Sequence, residues 1–390
     1  MRLLALLLIL ATTPSRAEEL SAWLADFRPR AEAAGIASAT LDRALPDIEH
    51  LPDVIRRDRN QSEFSKTIWD YLDGAVSDLR VQNGRAALQR HSAAFDAIEA
   101  RYGVEKEVVA AIWGLESSYG AFRGDTSTLS ALATLAADSR RGAFFETQLI
   151  AALQILQAGD TTFANMRGSW AGAMGHTQFI PTSFLAHAVD FTGDGRRDIW
   201  GQDPTDALAS AAAYLADFGW TTGQPWGVEV ILPDGFDYAL AASTITKRPA
   251  EWTALGIRTA AGGALPGDAP VSIRAPAGAQ GAVFATYPNF EVLERYNTAD
   301  AYVIGVGHLS DRLTGGPPLR AGWPRGDRAL SFDERVEMQR LLAGQGFDPQ
   351  KFDGLVGPLT LAAIRGWQAS VGLVPDGYMP PRLLQRLRGS

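Results

Sequence analysis

One carboxylate in an apolar run is the residue of this chain best placed to do chemistry. It is Glu116, within Ala110-Ala-Ile-Trp-Gly-Leu-Glu-Ser-Ser-Tyr-Gly120. Val108, Ile112, Leu115 and Tyr119 fall at helical spacing, which predicts a helix with its apolar face inward. Glu116 directly follows Leu115, so it sits at or beside that face, and Gly120 reads as the helix stop. Burial penalises the charged form of a carboxyl group. A carboxyl kept neutral near pH 7 can give up a proton as a general acid. The plain alternative is a glutamate that caps a helix end or points to solvent.

Three other stretches carry candidate groups. Arg167-Gly-Ser-Trp-Ala-Gly-Ala-Met-Gly-His-Thr-Gln-Phe-Ile-Pro181 mixes small residues with aromatics. Glycine at this density lets backbone approach a ligand closely, and aromatic rings suit the apolar faces of sugars. Ser169 and Gln178 would supply the few polar groups that fix a ligand's orientation. The alternative is a tight helix–loop packing motif, and His176 alone reads as a packing or surface histidine. Arg140-Arg141 is either a cationic clamp on an anionic substrate or a complement to a helix C-terminus. Asp190-Phe-Thr-Gly-Asp-Gly-Arg-Arg-Asp-Ile-Trp200 matches the front of a calcium loop. Asp190, Thr192 and Asp194 supply oxygens, Gly195 the sharp turn, Arg196 a backbone carbonyl and Asp198 the ninth position. Gly201 stands where a bidentate Glu is expected, so Asp203 or Asp206 would have to close the site. The ion would be structural. The alternative is an Asp/Gly-rich turn that binds nothing.

These groups need positioning elements. Glu18 to Gly103 reads as helical, with Leu20, Trp23, Leu24 and Phe27 at spacings of three and four, as are Phe64, Ile68, Tyr71 and Leu72. Tyr71 is by default a core residue of such a helix. Arg80-Val-Gln-Asn-Gly84 is expected to break the pattern before a further helix through Phe95 and Ile98 to Arg101. Helices are expected over Leu129–Ala137, Phe144–Ala158, Ala207–Phe218 with Tyr214 on it, and Ala301–Leu313, preceded by Tyr296-Asn297. Val228–Leu232, Val271–Arg274 and Ala282–Ala285 are short β-like runs between turn residues, a small β-containing insertion in a helical domain. Residues 314–328 are a Pro/Gly-rich linker. The rest forms a separate small unit of three helical patterns, Ser331–Ala343, Leu359–Ser370 and Pro381–Leu387.

Composition narrows the classes. A chain of 390 residues is long enough for two or more domains. A formal net charge of −8 is not the footprint of a nucleic-acid binder. The absence of cysteine excludes disulfides, thiol catalysis and zinc–thiolate sites. Arg2, the apolar run Leu3–Ala11 and Ser15-Arg16-Ala17 read as an export signal over 1–17, too short to span a bilayer. Its removal takes Arg2 and Arg16, giving −8 − 2 = −10. No cysteine follows that run to carry a lipid. The expectation is a periplasmic, soluble protein with no membrane anchor.

Two stretches resemble known families. Residues 18–313 resemble the lytic murein transglycosylase B family, glycoside hydrolase family 103. The resemblance rests on Gly114-Leu-Glu-Ser-Ser-Tyr-Gly120, Thr128-Leu-Ser-Ala-Leu-Ala-Thr-Leu135, Arg140-Arg141, Gly168-Ser-Trp-Ala-Gly-Ala-Met-Gly175 with Gln178-Phe179, and the Asp190 loop. Residues 329–388 resemble a three-helix peptidoglycan-binding module, through Met338-Gln-Arg-Leu-Leu342, Asp353-Gly354, Gly357-Pro358, Trp367-Gln368 and Gly377. The resemblance implies a mainly α, lysozyme-like α+β catalytic domain, with that module behind it. It implies non-hydrolytic cleavage of the β-1,4 bond between N-acetylmuramic acid and N-acetylglucosamine, leaving a 1,6-anhydromuramic end. Glu116 matches the family's single catalytic glutamate, acid first and base second, with the substrate's N-acetyl group assisting. Tyr71, Arg140, Arg141, Ser169, Gln178, Tyr214, Tyr296 and Asn297 match cleft residues. Asp190, Thr192, Asp194, Arg196 and Asp206 match the calcium loop. No cofactor is needed for the chemistry; the implied partner is the peptidoglycan glycan strand, and the protein is expected to be monomeric. A hydrolysing muramidase using Glu116 with water, and a non-catalytic wall-binding scaffold, are the competing readings.

Overall fold

A computed structural model describes residues 16–59 and 66–389. Residues 1–15 of the expected export signal, and Phe64, lie outside them. The described residues fall into two compact units, one within Met1–Asn60 and Arg123–Ala207, the other within Gln61–Phe122 and Leu208–Ser390.

The first unit is built around α8 (Thr128–Ala137), whose residues from Thr128 to Ala136 are all buried. Its sequence is apolar or small on every side, and such a helix must be enclosed. The helices α1 (Arg16–Ala33), α3 (Pro52–Arg59) and α9 (Gly142–Ala158) pack on it, and α9 in turn carries α2 (Ser38–Ala44) and α10 (Pro181–His187). Two of its buried hydroxyls are tied to backbone, as most buried polar groups are. Ser130 and Thr134 accept the backbone N–H groups of Glu49 and Leu51, each at 3.1 Å. Strands β1 (Thr126–Ser127) and β2 (Arg167–Gly168) pair antiparallel and lead into the glycine-rich loop.

The second unit centres on α7 (Lys106–Ser117) lying against α14 (Asp300–Leu313). Around this pair pack α4 (Ile68–Ala75), α5 (Asp78–Arg90), α6 (Ser92–Tyr102) and α13 (Pro288–Tyr296). Gly305 on α14 is what allows the approach: a β-carbon there would stand 3.1 Å from the Tyr71 ring and 3.4 Å from Leu115. The expected β-containing insertion is a five-stranded antiparallel sheet, order β4-β6-β7-β3-β5. Its strands are β3 (Gly227–Ile231), β4 (Thr246–Lys247), β5 (Arg258–Thr259), β6 (Val271–Arg274) and β7 (Val283–Thr286). Trp252, on α12 (Pro249–Ala254), is fully buried with Ile257, Val271, Ile273 and Tyr287 in its core.

Two local expectations are corrected. Arg80–Gly84 does not break a helix but lies inside α5. Gly84 is there for space: a β-carbon would collide with the Tyr119 hydroxyl and stand 2.6 Å from Leu313 Cδ2. Tyr119, in turn, is not on the helix with Val108 and Ile112. The helix α7 ends at Ser117, and Ser118 and Tyr119 both turn left-handed, at φ 51° and 60°.

At the C-terminus, α15 (Phe332–Gly344), α16 (Pro358–Ser370) and α17 (Pro381–Arg388) surround Met338, Leu342, Ile364, Trp367 and Leu384. Two buried glutamines explain its paired Asp-Gly turns. Gln339 accepts from Gly354 N–H and donates to Leu355 O. Gln368 accepts from Gly377 N–H and donates to Tyr378 O. The preceding Pro/Gly-rich segment is held along its length. Arg320 and Ala321 N–H groups bind the Glu229 carboxylate, Arg325 pairs with Asp73 at 2.7 Å, and Trp323 packs on Trp69. Among the described residues no helix is long and apolar enough to cross a membrane.

Candidate active site

Glu116 occupies the last turn of α7, half-buried, one residue before the chain leaves the helix. The Gly-Leu-Glu-Ser-Ser-Tyr-Gly run is a device for stopping that turn rigidly. Tyr119 N–H returns to Trp113 O at 3.2 Å, satisfying a carbonyl the helix end would orphan. Ser117 Oγ accepts Gly120 N–H at 3.0 Å. The Tyr119 ring folds back over Gly114, where a β-carbon would stand 2.7 Å from Cζ. Its hydroxyl donates to Arg80 O at 2.9 Å, and Arg80 Nη1 donates to Gly114 O at 3.0 Å.

The group facing Glu116 is a tyrosine on α14. Tyr302 Oη donates to Glu116 Oε1 at 2.6 Å. Burial, and then the neighbouring Glu116 carboxylate, push the Tyr302 hydroxyl far above its ordinary pKa. It therefore stays protonated and acts as a donor. Tyr296 and Tyr71 also act on the Tyr302 hydroxyl electrostatically, so two further expected site residues influence the group that binds Glu116. Tyr71 is half-buried on α4. Tyr214 lies on α11 (Thr205–Asp217), holds Arg295 O through its hydroxyl at 2.5 Å, and meets the Tyr296 ring edge-on at 5.1 Å. Asn297 is exposed; its Oδ1 accepts Ala299 N–H at the entrance to α14.

The remaining expected residues belong to the first unit. Arg140 and Arg141 converge on Asp58, which is 3% exposed. Arg140 Nε donates to Oδ2 at 2.8 Å and Arg141 Nη2 to Oδ1 at 2.6 Å. Burial alone would raise the Asp58 pKa, but these bonds outweigh it and hold the carboxyl below the ordinary range. Ser169 Oγ accepts the N–H groups of Ala171 and Ala173, shaping the glycine-rich loop. Gln178 stands left-handed at φ 52°, and its Nε2 donates to Arg123 O and Gly175 O. His176 is buried and binds Gly201 O, a packing histidine.

The acidic loop gathers Asp190, Asp194 and Asp206, with ligand oxygens all within 4.8 Å of one another. Calcium–oxygen distances near 2.4 Å place ligands on opposite sides of an ion about 5 Å apart, so the spacing fits one cation. Asp206, not Asp203, is the residue that reaches this cluster. Its Oδ1 accepts the N–H groups of Phe191 and Thr192, and its Oδ2 that of Asp198. Burial still raises its pKa above the ordinary carboxylate value. Asp203 instead accepts Thr205 N–H at the start of α11. Thr192 Oγ1 lies 3.4 Å from Asp190 Oδ1, and Arg196 N–H binds Asp194 Oδ1. Asp198 is turned away to Trp200 and Gly201 N–H.

Residues 19–311 match the family described as Transglycosylase SLT domain. The chain belongs to the transglycosylase SLT family. Residues 332–387 of this SLT transglycosylase match the peptidoglycan binding domain family. It is 32% identical over 301 residues to the membrane-bound lytic murein transglycosylase B of Escherichia coli K12, covering 72% of this chain and 79% of that one. SltB3 from Pseudomonas aeruginosa, solved in complex with NAG-anhNAM-pentapeptide, is similar at a TM-score of 0.92 and 47% identity, over 95% of this chain and 99% of that chain. Slt35 from Escherichia coli, solved in complex with calcium, is similar at a TM-score of 0.65 and 27% identity, over 76% and 93% respectively.

Sequence reasoning singled out Glu116 but not the group that faces it. Tyr302 sits in an apolar helical run and reads as core. The only signal was a hydroxyl-bearing ring entering α14 six residues after Tyr296, and periodicity cannot say which helix that ring faces.

Proposed function

We propose that the chain acts as a lytic transglycosylase on peptidoglycan glycan strands, with Glu116 as the one acid–base group. The observation that carries this reading is one carboxylate, Glu116, held at the end of α7 by the Tyr302 hydroxyl at 2.6 Å. Ordinary glycosidases flank the scissile bond with two carboxyl groups. With one, the same residue must do both proton transfers. Glu116 gives its proton to the bridging glycosidic oxygen as the bond from that oxygen to C1 of the muramic ring breaks. The C6 hydroxyl oxygen of the same ring then bonds to C1, and Glu116 takes the hydroxyl proton. The enzyme ends as it began and no water is consumed. Tyr302 holds the carboxyl in one orientation for both steps. The substrate's N-acetyl oxygen shares the positive charge at C1. The P. aeruginosa relative was solved with NAG-anhNAM-pentapeptide, which supports an anhydro product for this chain.

Tyr71, Tyr214, Tyr296 and Asn297 form the sugar-facing surface around Glu116. Ser169, Gln178 and the half-exposed Arg140 and Arg141 are the further substrate-binding residues of this reading. Asp190, Asp194 and Asp206, with Thr192 and the Arg196 backbone, would hold a structural calcium ion; the calcium complex of the E. coli relative supports it. Its part is to fix the loop leading into α11, and no chemical step passes through it. The protein works as an exported monomer, the catalytic region spanning 18–313, the linker 314–328 and the wall-binding module 329–388. The deciding experiment is mass spectrometry of fragments released from purified peptidoglycan by wild type and Glu116→Gln. Products lighter by one water than hydrolytic fragments, absent with the variant, are expected. Reducing ends would establish a hydrolysing muramidase instead.

A further inference from the structure

The C-terminal module leaves a cavity of about 590 Å³ against the rest of the second unit, bounded by the start of α4, the end of β6 and the N-terminal end of α16. That volume lies in the range of small-molecule sites. Six charged side chains line it: Arg274, Arg328, Arg335, Arg365, Asp300 and Asp376. Most of this charge is already spent. Arg274 pairs with Asp300 at 2.9 Å, and Arg328 with Glu334 at 2.7 Å. Asp376 accepts the N–H groups of Ala279 and Tyr378 and the Gln368 amide, each at 2.9 Å.

Arg365 is different. It is half-buried and makes no ion pair among the described residues. One nitrogen donates to Ala241 O at 2.9 Å; its Nε, like that of Arg274, is buried with no acceptor. Burial lowers its pKa, as it does that of Arg335, whose bonds include those to the backbone carbonyls of Leu330 and Gly354. A buried donor left unmade costs more than the same donor satisfied. The cavity is also lined by Gly357 and Pro358, the N-cap and first residue of α16, and Gly357 offers no side-chain oxygen to cap it. A helix start of this kind favours negative charge. Leu361, Ile364 and Met379 make the neighbouring wall apolar.

We infer that this cavity binds the C-terminal carboxylate of a wall peptide, with Arg365 as its anchor and the apolar wall receiving the small terminal side chains. The peptide as ligand class rests on the peptidoglycan reading proposed above. The planar guanidinium suits a carboxylate, since its donors match the two oxygens.

The test is calorimetric titration of the full chain with a pentapeptide stem lacking sugars, prepared as free acid and as C-terminal amide. Wild type is expected to bind the acid at least tenfold tighter than the amide. Arg365→Gln should erase that preference, and Arg365→Lys should retain part of it. Equal binding of acid and amide by wild type overturns the inference, as does an acid preference that survives Arg365→Gln. The wild-type comparison holds even if a variant fails to fold. A purely structural tether to Ala241 would shift melting temperature without creating an acid preference. Cleavage of soluble glycan by the same preparation reports separately: cleavage with no acid preference removes this site and leaves the enzymatic reading standing.

Discussion

Tyr302 and Glu116 stand 186 residues apart in the chain and are joined by a 2.6 Å hydrogen bond. Removing a hydrogen bond to an ionisable group costs about 1.5–3 kcal/mol. If the bond holds Glu116 through both proton transfers, Tyr302→Phe should slow turnover by roughly 10–100-fold. The ring stays buried, so the variant should fold, with a melting temperature lower by a few degrees. Steady-state release of soluble fragments measures this, and a wild-type rate would remove Tyr302 from the mechanism.

Gly84 and Gly74 offer a matched pair within neighbouring helices. A β-carbon at Gly84 meets Tyr119 and Leu313, whereas nothing lies within 4 Å of one at Gly74. Gly84→Ala should destabilise by about 1–3 kcal/mol through overpacking. Gly74→Ala should stabilise by roughly 0.5–1 kcal/mol through helix propensity. Urea denaturation of the two variants should show midpoints moving in opposite directions.

Asp311 gives the second unit a pH dependence. Burial pushes its carboxyl up to about 7 from 3.8, against the opposing hydrogen bond from Trp226 Nε1 at 3.1 Å. The folded pKa exceeds the unfolded one. Its stabilising contribution is therefore complete below pH 3.8, falls as pH rises from there to about 7, and is level above. Asp311→Asn should gain on wild type across that window, by on the order of 3 kcal/mol at pH 8. A constant difference between pH 4 and 8 would show that Asp311 titrates normally.

The acidic loop predicts a melting temperature that rises with millimolar calcium, since a ligand binding only the folded state stabilises it. Asp206→Asn should lose most of that rise, because Asp206 both reaches the cluster and holds three backbone N–H groups. A calcium response equal to wild type would remove Asp206 from the ligand set.

Some of this protein was legible one residue at a time. The helices α8, α9, α14 and α16 lie close to where their apolar runs place them, and β6 spans the expected Val271–Arg274. The acidic cluster was legible because its carboxylates are close in sequence. Glycine misled twice, for one physical reason. At Gly84 the residue answers to a neighbour's ring, and Gly120 comes three residues after the helix has ended. A sequence shows that a glycine is present but not which atom requires the space.

Sequence alone singled out Glu116 and the short run that ends its helix. The turn from Glu116 to Gly120 closes through bonds within seven residues, so spacing encodes it. Tertiary structure decided what that acid faces. The Tyr302 bond, the pairing of Arg140 and Arg141 with Asp58, and the choice of Asp206 over Asp203 all depend on which helix faces cross. Those crossings are set by packing summed over many weak apolar contacts, and no single residue type records them.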